Sequence, residues 1–118
     1  TIFCCGAIVS ECLKAAYLLD EKKISTSVVN MHTIKPIDKN AIDETEKNKL
    51  IVTVEEHNII GGLGSAISEY KSTLSNFPRQ LSLGIRDTYG KCGEYKFMLN
   101  KHRLEAEKIV DDIISNIK

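Results

Sequence analysis

Hydrophobic positions along the chain follow two alternating periods, one typical of strands and one typical of helices. Four short apolar or β-branched runs predict strands, at residues 2–5, 27–31, 50–54 and 80–85. Apolar residues recur at helical spacing in three further segments, at residues 9–19, 63–74 and 104–117. Asp38 is placed to cap a short, polar helix that is predicted to run from Lys39 to about Asn48. Strands and helices therefore alternate, and a loop is expected at residues 86–93.

This alternation predicts an α/β fold, because strands separated by helices form parallel βαβ units with helices on both faces of the sheet. We expect a three-layer α/β/α sandwich with a mostly parallel sheet of four to five strands. Right-handed crossovers restrict the topology, and the simplest strand order is 2-1-3-4. The order reverses between strands 1 and 3, so a crevice is predicted at their carboxyl ends, where Gly6 and Glu55 stand.

Length and composition narrow the class of protein. The 118 residues fit one domain, and 42% hydrophobic residues suffice for one buried core. Sixteen Lys and Arg balance sixteen Asp and Glu, which argues against a dedicated nucleic-acid binder. No apolar run approaches the roughly 20 residues of a membrane span. The sequence starts without Met or a signal-peptide pattern, and we interpret it as a fragment of something longer.

The cysteine pattern indicates reduced thiols. The four cysteines are Cys4, Cys5, Cys12 and Cys92. None has metal-ligand spacing, and the adjacent Cys4 and Cys5 point to opposite faces of a strand, so they cannot easily share a metal or pair with each other. The three histidines show no ligand spacing with the cysteines either. We expect free thiols in a cytoplasmic protein and no metal site.

A glycine-rich turn, with Gly61, Gly62 and Gly64, opens the helix that follows the third strand. A dinucleotide fingerprint beginning at Gly62 needs a third glycine where Ile67 stands, and a P-loop match fails as well. The free N–H groups of the helix start could bind an anion. Alternatively, the glycines allow close approach to a neighbouring strand or domain. No lysine or arginine flanks the turn, which favours the second interpretation.

Candidate polar residues stand at the carboxyl ends of two strands. Glu55 and His57 face one way and Glu56 the other if the strand continues, so a carboxylate and an imidazole could form an acid/base pair. They could equally be hydrogen-bonded at a domain interface. No nucleophile or metal ligand lies nearby in sequence, which favours the interface. Asp87 fits an Asx-type turn.

Three segments resemble motifs of transketolases and related enzymes. Residues 28–38, Val-Val-Asn-Met-His-Thr-Ile-Lys-Pro-Ile-Asp, resemble the family's strand that meets a Lys-Pro-Ile/Leu-Asp turn. Residues 53–57, Thr-Val-Glu-Glu-His, followed by residues 61–66, Gly-Gly-Leu-Gly-Ser-Ala, resemble its distinctive carboxyl-terminal motif. Residues 84–93 resemble its late G-x-x-D-x-F/Y-G-x-S-G loop, with Cys92 where a serine is common.

By this resemblance the chain, as one domain over residues 1–118, is identified as the carboxyl-terminal domain of a transketolase or of a split transketolase subunit. 1-Deoxyxylulose-5-phosphate synthases and the β subunits of 2-oxo acid dehydrogenases share this domain. The histidine at position 57 and the pair Met31-His32 favour transketolase. Family members usually have a further, antiparallel edge strand, which is expected before Thr1.

The resemblance also implies where the chemistry lies. In such enzymes thiamine diphosphate and magnesium bind between two earlier domains, one of which supplies a Gly-Asp-Gly motif. This sequence contains no Gly-Asp-Gly. We therefore expect no catalytic residue, metal or cofactor in this domain. The parent enzyme is expected to be a cytoplasmic dimer of the pentose phosphate pathway that transfers two-carbon ketol units between sugar phosphates.

Two functions from different classes follow. In the first, the chain is a non-catalytic domain that packs on other domains or a partner subunit and supports a dimer, with no role for nucleic acid or membrane. In the second, it is a free-standing module that binds a small ligand or anion in the crevice. Both place the same residues at an interface or crevice: Glu55, Glu56, His57, Gly61, Gly62, Gly64 and Asp87.

Overall fold

Four parallel strands form the sheet in the computed structural model, which describes residues 1–117. They are β1 (Ile2–Cys4), β2 (Val28–Asn30), β3 (Leu50–Asn58) and β4 (Arg79–Ile85). Their order is β2-β1-β3-β4, which confirms the predicted topology. The register places Ile2 opposite Val28 on one side and opposite Val52 on the other.

Five α-helices connect or follow the strands within the described residues. They are α1 (Val9–Glu21), α2 (Lys39–Asp43), α3 (Leu63–Lys71), α4 (Tyr95–Lys101) and α5 (Ala106–Asn116). Asp38 caps α2 as expected, since its carboxylate accepts a hydrogen bond from the N–H of Ala41 at 3.1 Å. None of these helices combines the length and the apolar character that a membrane crossing requires.

The sheet is covered on both faces, as a three-layer sandwich requires. Helices α1 and α5 lie on one face, where they bury Cys12, Ala15, Leu19, Ile109 and Ile113 against alternate residues of β1 and β3. Helices α2 and α3 cover the other face, where Ile42, Leu63 and Ile67 pack on Phe3 and Ile51. Each fully buried side chain of this size stabilises the fold by about 1.5–3 kcal/mol. Burial on both faces explains why the runs in β1 and β3 are continuously apolar.

The structure differs from the expected elements at several places. Helix α2 ends at Asp43, and turns replace the predicted helix up to Asn48. Strand β3 runs four residues beyond Val54, to Asn58. Helix α4 was not predicted, because it buries only Leu99 and therefore shows no apolar stripe. The predicted final helix begins at Ala106 rather than near residue 104.

Leu13 lies off the apolar stripe of α1, although the segment 9–19 as a whole shows helical spacing of apolar residues. The structure leaves Leu13 46% exposed and buries Ala15 completely. Cys12, Ala15 and Leu19 face the sheet at three- and four-residue spacing, which turns Leu13 outward.

Candidate functional site

Glu55 is the centre of the polar site at the carboxyl end of β3. Its side chain is fully buried. Its Oε2 accepts a hydrogen bond from the N–H of Leu63 at 2.7 Å, and its Oε1 accepts one from the N–H of Gly64 at 3.1 Å. These two N–H groups belong to the first turn of α3, where a helix has no internal acceptors. The carboxylate therefore fills, from within the chain, the anion position that the glycine-rich turn could offer.

The glycines make room for this carboxylate. A Cβ on Gly62 would lie 2.1 Å from Glu55 Oε2 and 2.2 Å from His57 Cε1. A Cβ on Gly64 would lie 2.8 Å from Thr53 Oγ1 and 3.1 Å from Glu55 Oε1. No larger residue fits at Gly62 unless the carboxylate moves, so the turn and the glutamate depend on each other. The close approach joins α3 to the neighbouring strand β3.

His57 lies beside this carboxylate with half of its side chain exposed. Its Nε2 is 3.2 Å from Glu55 Oε2, and its Nδ1 is 2.9 Å from the carbonyl oxygen of Asn58. Both ring nitrogens thus face oxygen acceptors. The acid/base alternative requires a carboxylate that a substrate can reach, and both oxygens of Glu55 are engaged by buried backbone N–H groups. The geometry is that of a structural hydrogen-bonded pair.

Asn58, which the sequence analysis did not select, connects two loops at this edge. Its side-chain amide donates to Asp87 Oδ1 at 3.1 Å, and its Oδ1 accepts from the N–H of Ile60 at 2.9 Å. Asp87 adopts a left-handed φ of 36°. An asparagine directly after a strand is a turn signal that could have identified this position.

Helix α4 is fastened to the opposite side of β3. The hydroxyl of Tyr95 donates a hydrogen bond to the carboxylate of Glu56. This bond to an anion raises the pKa of Tyr95 to about 12, since losing the proton would place two negative charges together. Glu56 therefore holds α4 at the same edge of the sheet. Tyr95 carried no signal in the sequence.

Four large apolar or aromatic side chains project from the segments that these contacts hold. This set, termed here the carboxyl-edge apolar residues, consists of Ile60, Tyr89, Tyr95 and Phe97. Ile60 is 69% exposed and Tyr89 fully exposed, the latter in the loop that follows β4. Single exposed apolar residues are common, but several on adjoining segments are typical of a contact surface.

The structure brings the predicted site residues to one end of the sheet. Gly61, with a left-handed φ of 83°, donates its N–H to the hydroxyl of Ser65 at 2.8 Å and completes the turn. Within residues 1–117, no group of three His, Cys, Asp or Glu side chains is placed to hold a metal ion.

Known proteins resemble this chain over nearly all of its length. Residues 1–109 match the family model described as transketolase, C-terminal domain. The chain is 38% identical over 118 residues to a protein of Methanocaldococcus jannaschii named as a transketolase C-terminal section. It is 35% identical over 118 residues to a 1-deoxy-D-xylulose-5-phosphate synthase of Caldanaerobacter subterraneus subsp. tengcongensis. The alignments cover 100% and 99% of this chain but only 37% and 19% of those relatives.

A solved structure shows the same fold. It is titled as a split gene transketolase in an inactive beta4 tetramer, and it superimposes with a TM-score of 0.89 at 32% identity. The match covers 98% of this chain and 38% of that one. The chain thus spans well under half of the longer proteins that it resembles.

Proposed function

Since this chain belongs to the transketolase C-terminal domain family, we propose that it is the non-catalytic domain of a longer, thiamine-diphosphate-dependent transferase. Its role is to pack on the other domains or on a partner subunit and to support a dimer. The parent enzyme transfers two-carbon ketol units between sugar phosphates in the cytoplasm. The thiamine ring supplies the carbanion chemistry there, outside this domain.

The observation that carries this proposal is the internal capping of α3 by Glu55. The position where a small anion could bind is filled by the chain's own carboxylate, at 2.7 Å and 3.1 Å from two helix N–H groups. This geometry disfavours the alternative of a free-standing anion-binding module. The carboxyl-edge apolar residues on the same side of the fold offer a surface to another protein segment instead.

The length of the relatives supports the proposal that cofactor and substrate binding lie outside this domain. The chain covers 37% of one relative and 19% of another, so most of each relative lies outside the matching region. The Gly-Asp-Gly motif that holds magnesium and the diphosphate in the enzymes this chain resembles is not present in its sequence. Cofactor and substrate binding are therefore assigned to the rest of the parent enzyme.

The test is co-purification of this chain with the remaining part of the parent enzyme, expressed as a separate polypeptide. We expect Ile60→Ser combined with Tyr89→Ser to weaken the association about ten-fold or more, since buried apolar anchors contribute most of the binding energy of an interface. Tyr17→Ser is the matched control, because Tyr17 is 75% exposed on the outer face of α1. Normal association of the double variant would contradict the proposal.

A second parent activity is favoured by the relative that is 35% identical over 118 residues, a 1-deoxy-D-xylulose-5-phosphate synthase. The two activities differ in their products. Incubation of the complete enzyme with sugar phosphates in the presence and absence of pyruvate, followed by mass spectrometry of the products, distinguishes a transferred ketol unit from 1-deoxyxylulose 5-phosphate, whose two-carbon unit must come from pyruvate with loss of carbon dioxide.

A further inference from the structure

A cavity of about 390 Å³ opens at the amino end of the sheet, opposite the Glu55 site. It lies where β1 begins, between the loops that precede β2 and β3 and the end of α5. Its apolar lining belongs entirely to the cluster on the α1/α5 face of the sheet, and consists of Ile2, Ile24, Leu50, Val52, Ile113 and Ile117. The cavity is therefore an unfilled end of that apolar cluster.

Thr1 already continues β1 at the edge of this cavity. Its backbone nitrogen donates to the carbonyl oxygen of Leu50 at 3.1 Å, and its carbonyl oxygen accepts from the N–H of Val52 at 2.8 Å. These are the two bonds that a residue opposite Ile51 makes in a parallel pair of strands. The side chain is held as well, since Thr1 Oγ1 accepts from the amide of Asn48 at 2.6 Å. These contacts fix the direction in which the backbone enters β1.

Two backbone groups of the loop before β2 lie where a residue preceding Thr1 would bond. Residues of a central strand bond alternately to its two neighbours, and Ile2 bonds to the β2 side, donating to the carbonyl oxygen of Ser27 at 2.8 Å. Two residues earlier in the same pattern, the partners are the N–H of Ser27 and the carbonyl oxygen of Ser25. Neither group makes a hydrogen bond within residues 1–117. Both serines are exposed and line the cavity, so these two ladder positions are open.

The side chain of a residue preceding Thr1 would point into the cavity if β1 continues. Successive side chains of a strand alternate between the two faces of the sheet. Ile2 packs in the cluster on the α1/α5 face, and Phe3 packs in the cluster on the other face. The residue before Thr1 thus shares the face of Ile2, where an apolar side chain gains most from burial.

We propose that this cavity is filled by the segment of the parent enzyme that directly precedes Thr1, with an apolar residue immediately before Thr1. The inference rests on the proposed function, in which the chain is one domain of a longer enzyme. Strand β1 then begins before Thr1, and β2 gains a paired position at Thr26. The connection to the preceding segment is part of the sheet and of the apolar cluster, so it is a rigid joint and not a flexible linker.

The first test is the coding sequence directly upstream of Thr1. We expect an apolar residue at the position immediately before it. A charged residue, glycine or proline there overturns the proposal, because none of them both fills an apolar cavity and donates to the carbonyl oxygen of Ser25. If no coding sequence precedes Thr1, the proposed function fails together with this inference.

The second test is hydrogen exchange of the complete parent enzyme, resolved to single residues by mass spectrometry. We expect the N–H of Ser27 to exchange about 100-fold or more slowly than the N–H of Thr26, because a ladder hydrogen bond protects it. Thr26 is the matched control, since its N–H points away from β1 toward the open edge beside β2. Equally fast exchange at both positions overturns this inference and leaves the proposed function intact.

Variants of the complete enzyme identify what fills the cavity. Replacing the residue before Thr1 by aspartate is expected to speed exchange at Ser27 about ten-fold or more and to leave Thr26 unchanged. If Ser27 stays protected in that variant, another segment fills the cavity and the proposal is wrong.

A second pair of variants decides the matter if the aspartate variant does not fold. Ser27→Pro removes the N–H that faces the preceding residue, whereas Thr26→Pro removes one that faces the open edge. We expect Ser27→Pro to lower the melting temperature of the complete enzyme more than Thr26→Pro does. Equal melting temperatures of the two variants contradict the proposal.

Discussion

Glu55 determines what the conspicuous glutamate–histidine motif can do. The residue type and its position after a strand suit either acid/base chemistry or an interface. Its full burial and its two backbone donors, Leu63 and Gly64, assign it to the structure of the domain. His57 lies 3.2 Å from this carboxylate, whose two oxygens already accept hydrogen bonds from the backbone.

Glu55→Gln is predicted to destabilise the domain by about 1–3 kcal/mol, because one amide oxygen cannot replace two charged acceptors and the amide N–H₂ faces a donor. Chemical denaturation measures the change in the free energy of unfolding. Glu56→Gln is the control, since its recorded partner is the exposed Tyr95 hydroxyl. If the Glu55→Gln variant is as stable as the unsubstituted chain, the capping role of Glu55 is contradicted.

Gly62→Ala is predicted to cost about 1–3 kcal/mol of stability, because the new methyl group overlaps the Glu55 carboxylate. The matched control is Gly90→Ala, whose Cβ would meet its nearest neighbour at an ordinary 3.7 Å. Thermal unfolding of the two variants gives the comparison. Similar melting temperatures for both variants would show that the tight contact at Gly62 is not significant.

The thiols are predicted to react in two groups. Cys92 is exposed, whereas Cys4 and Cys12 are buried and Cys5 is half-buried. A hydrogen bond with Cys4, together with burial, raises the pKa of the Cys12 thiol, and burial raises the pKa of Cys5. A chromogenic disulfide reagent should label Cys92 rapidly in the native chain and all four cysteines in denaturant. Loss of the rapid phase in Cys92→Ser checks the assignment.

At the scale of elements, two helices share an unusual feature: their caps come from distant segments. Neither α3 nor α5 has a side-chain cap from its own N-cap residue. Glu55 of β3 serves α3, and Glu11 of α1 serves α5 by accepting from the N–H of Ala106 at 3.0 Å. Each carboxylate also opposes the positive end of the helix dipole. The Glu55 cap therefore joins the sheet to a helix on one face, and the Glu11 cap joins the two helices on the other face.

Glu11→Gln is predicted to destabilise the chain by about 1 kcal/mol at neutral pH, as expected for the loss of a helix cap. Burial opposes ionisation of Glu11, but hydrogen bonds from Lys14 and Ala106 outweigh it and lower the pKa of the carboxyl below its usual 4.5. A lowered pKa stabilises the fold above the usual value, and this contribution disappears as the carboxyl is protonated.

The difference in unfolding free energy between the Glu11→Gln variant and the unsubstituted chain should therefore decrease as the pH falls below 4.5. Urea denaturation across this range measures it. Glu21→Gln is the matched control, because it makes the same substitution at the exposed far end of α1, away from the start of α5. A difference that stays constant down to low pH contradicts the assignment.

At the scale of the whole molecule, the two faces of the sheet bury separate apolar clusters, and the polar groups collect at its edges. The carboxyl edge holds the glutamates, the glycine-rich turn and the exposed Ile60 and Tyr89. The sheet edge beside β4 holds a small cavity that Arg86, Arg103 and Asp112 help to line. Within residues 1–117, neither place contains a group of three His, Cys, Asp or Glu side chains placed to hold a metal ion.

The chain alone is predicted not to bind thiamine diphosphate. Calorimetric titration with thiamine diphosphate and magnesium should show no saturable heat, because a bridging metal needs a cluster of oxygen ligands. A dissociation constant of about 10 μM or tighter, near −7 kcal/mol, would reveal a cofactor site in this domain. The complete parent enzyme is the positive control.

The period of apolar residues determined the parallel sheet and its two covered faces, and the handedness of crossover connections then restricted the strand order. These patterns can be read within one short segment of sequence. A strand that is buried on both faces is mostly apolar along its length, as β3 is from Leu50 to Val54. The same locality placed Glu55, His57 and the glycines at one end of the sheet. Helix α4 could not be predicted from the sequence, because it buries only Leu99 and its apolar residues therefore show no helical period.

Only the tertiary structure decided what these polar residues do. Glu55 meets donors eight and nine residues away, and Glu11 caps a residue 95 positions later. The small cavity beside β4 is likewise lined by Arg86, His102 and Asp112, which come from three different segments of the chain. A hydrogen-bond partner is chosen by distance in space and by burial, and neither quantity is encoded in the spacing of residue types along the chain.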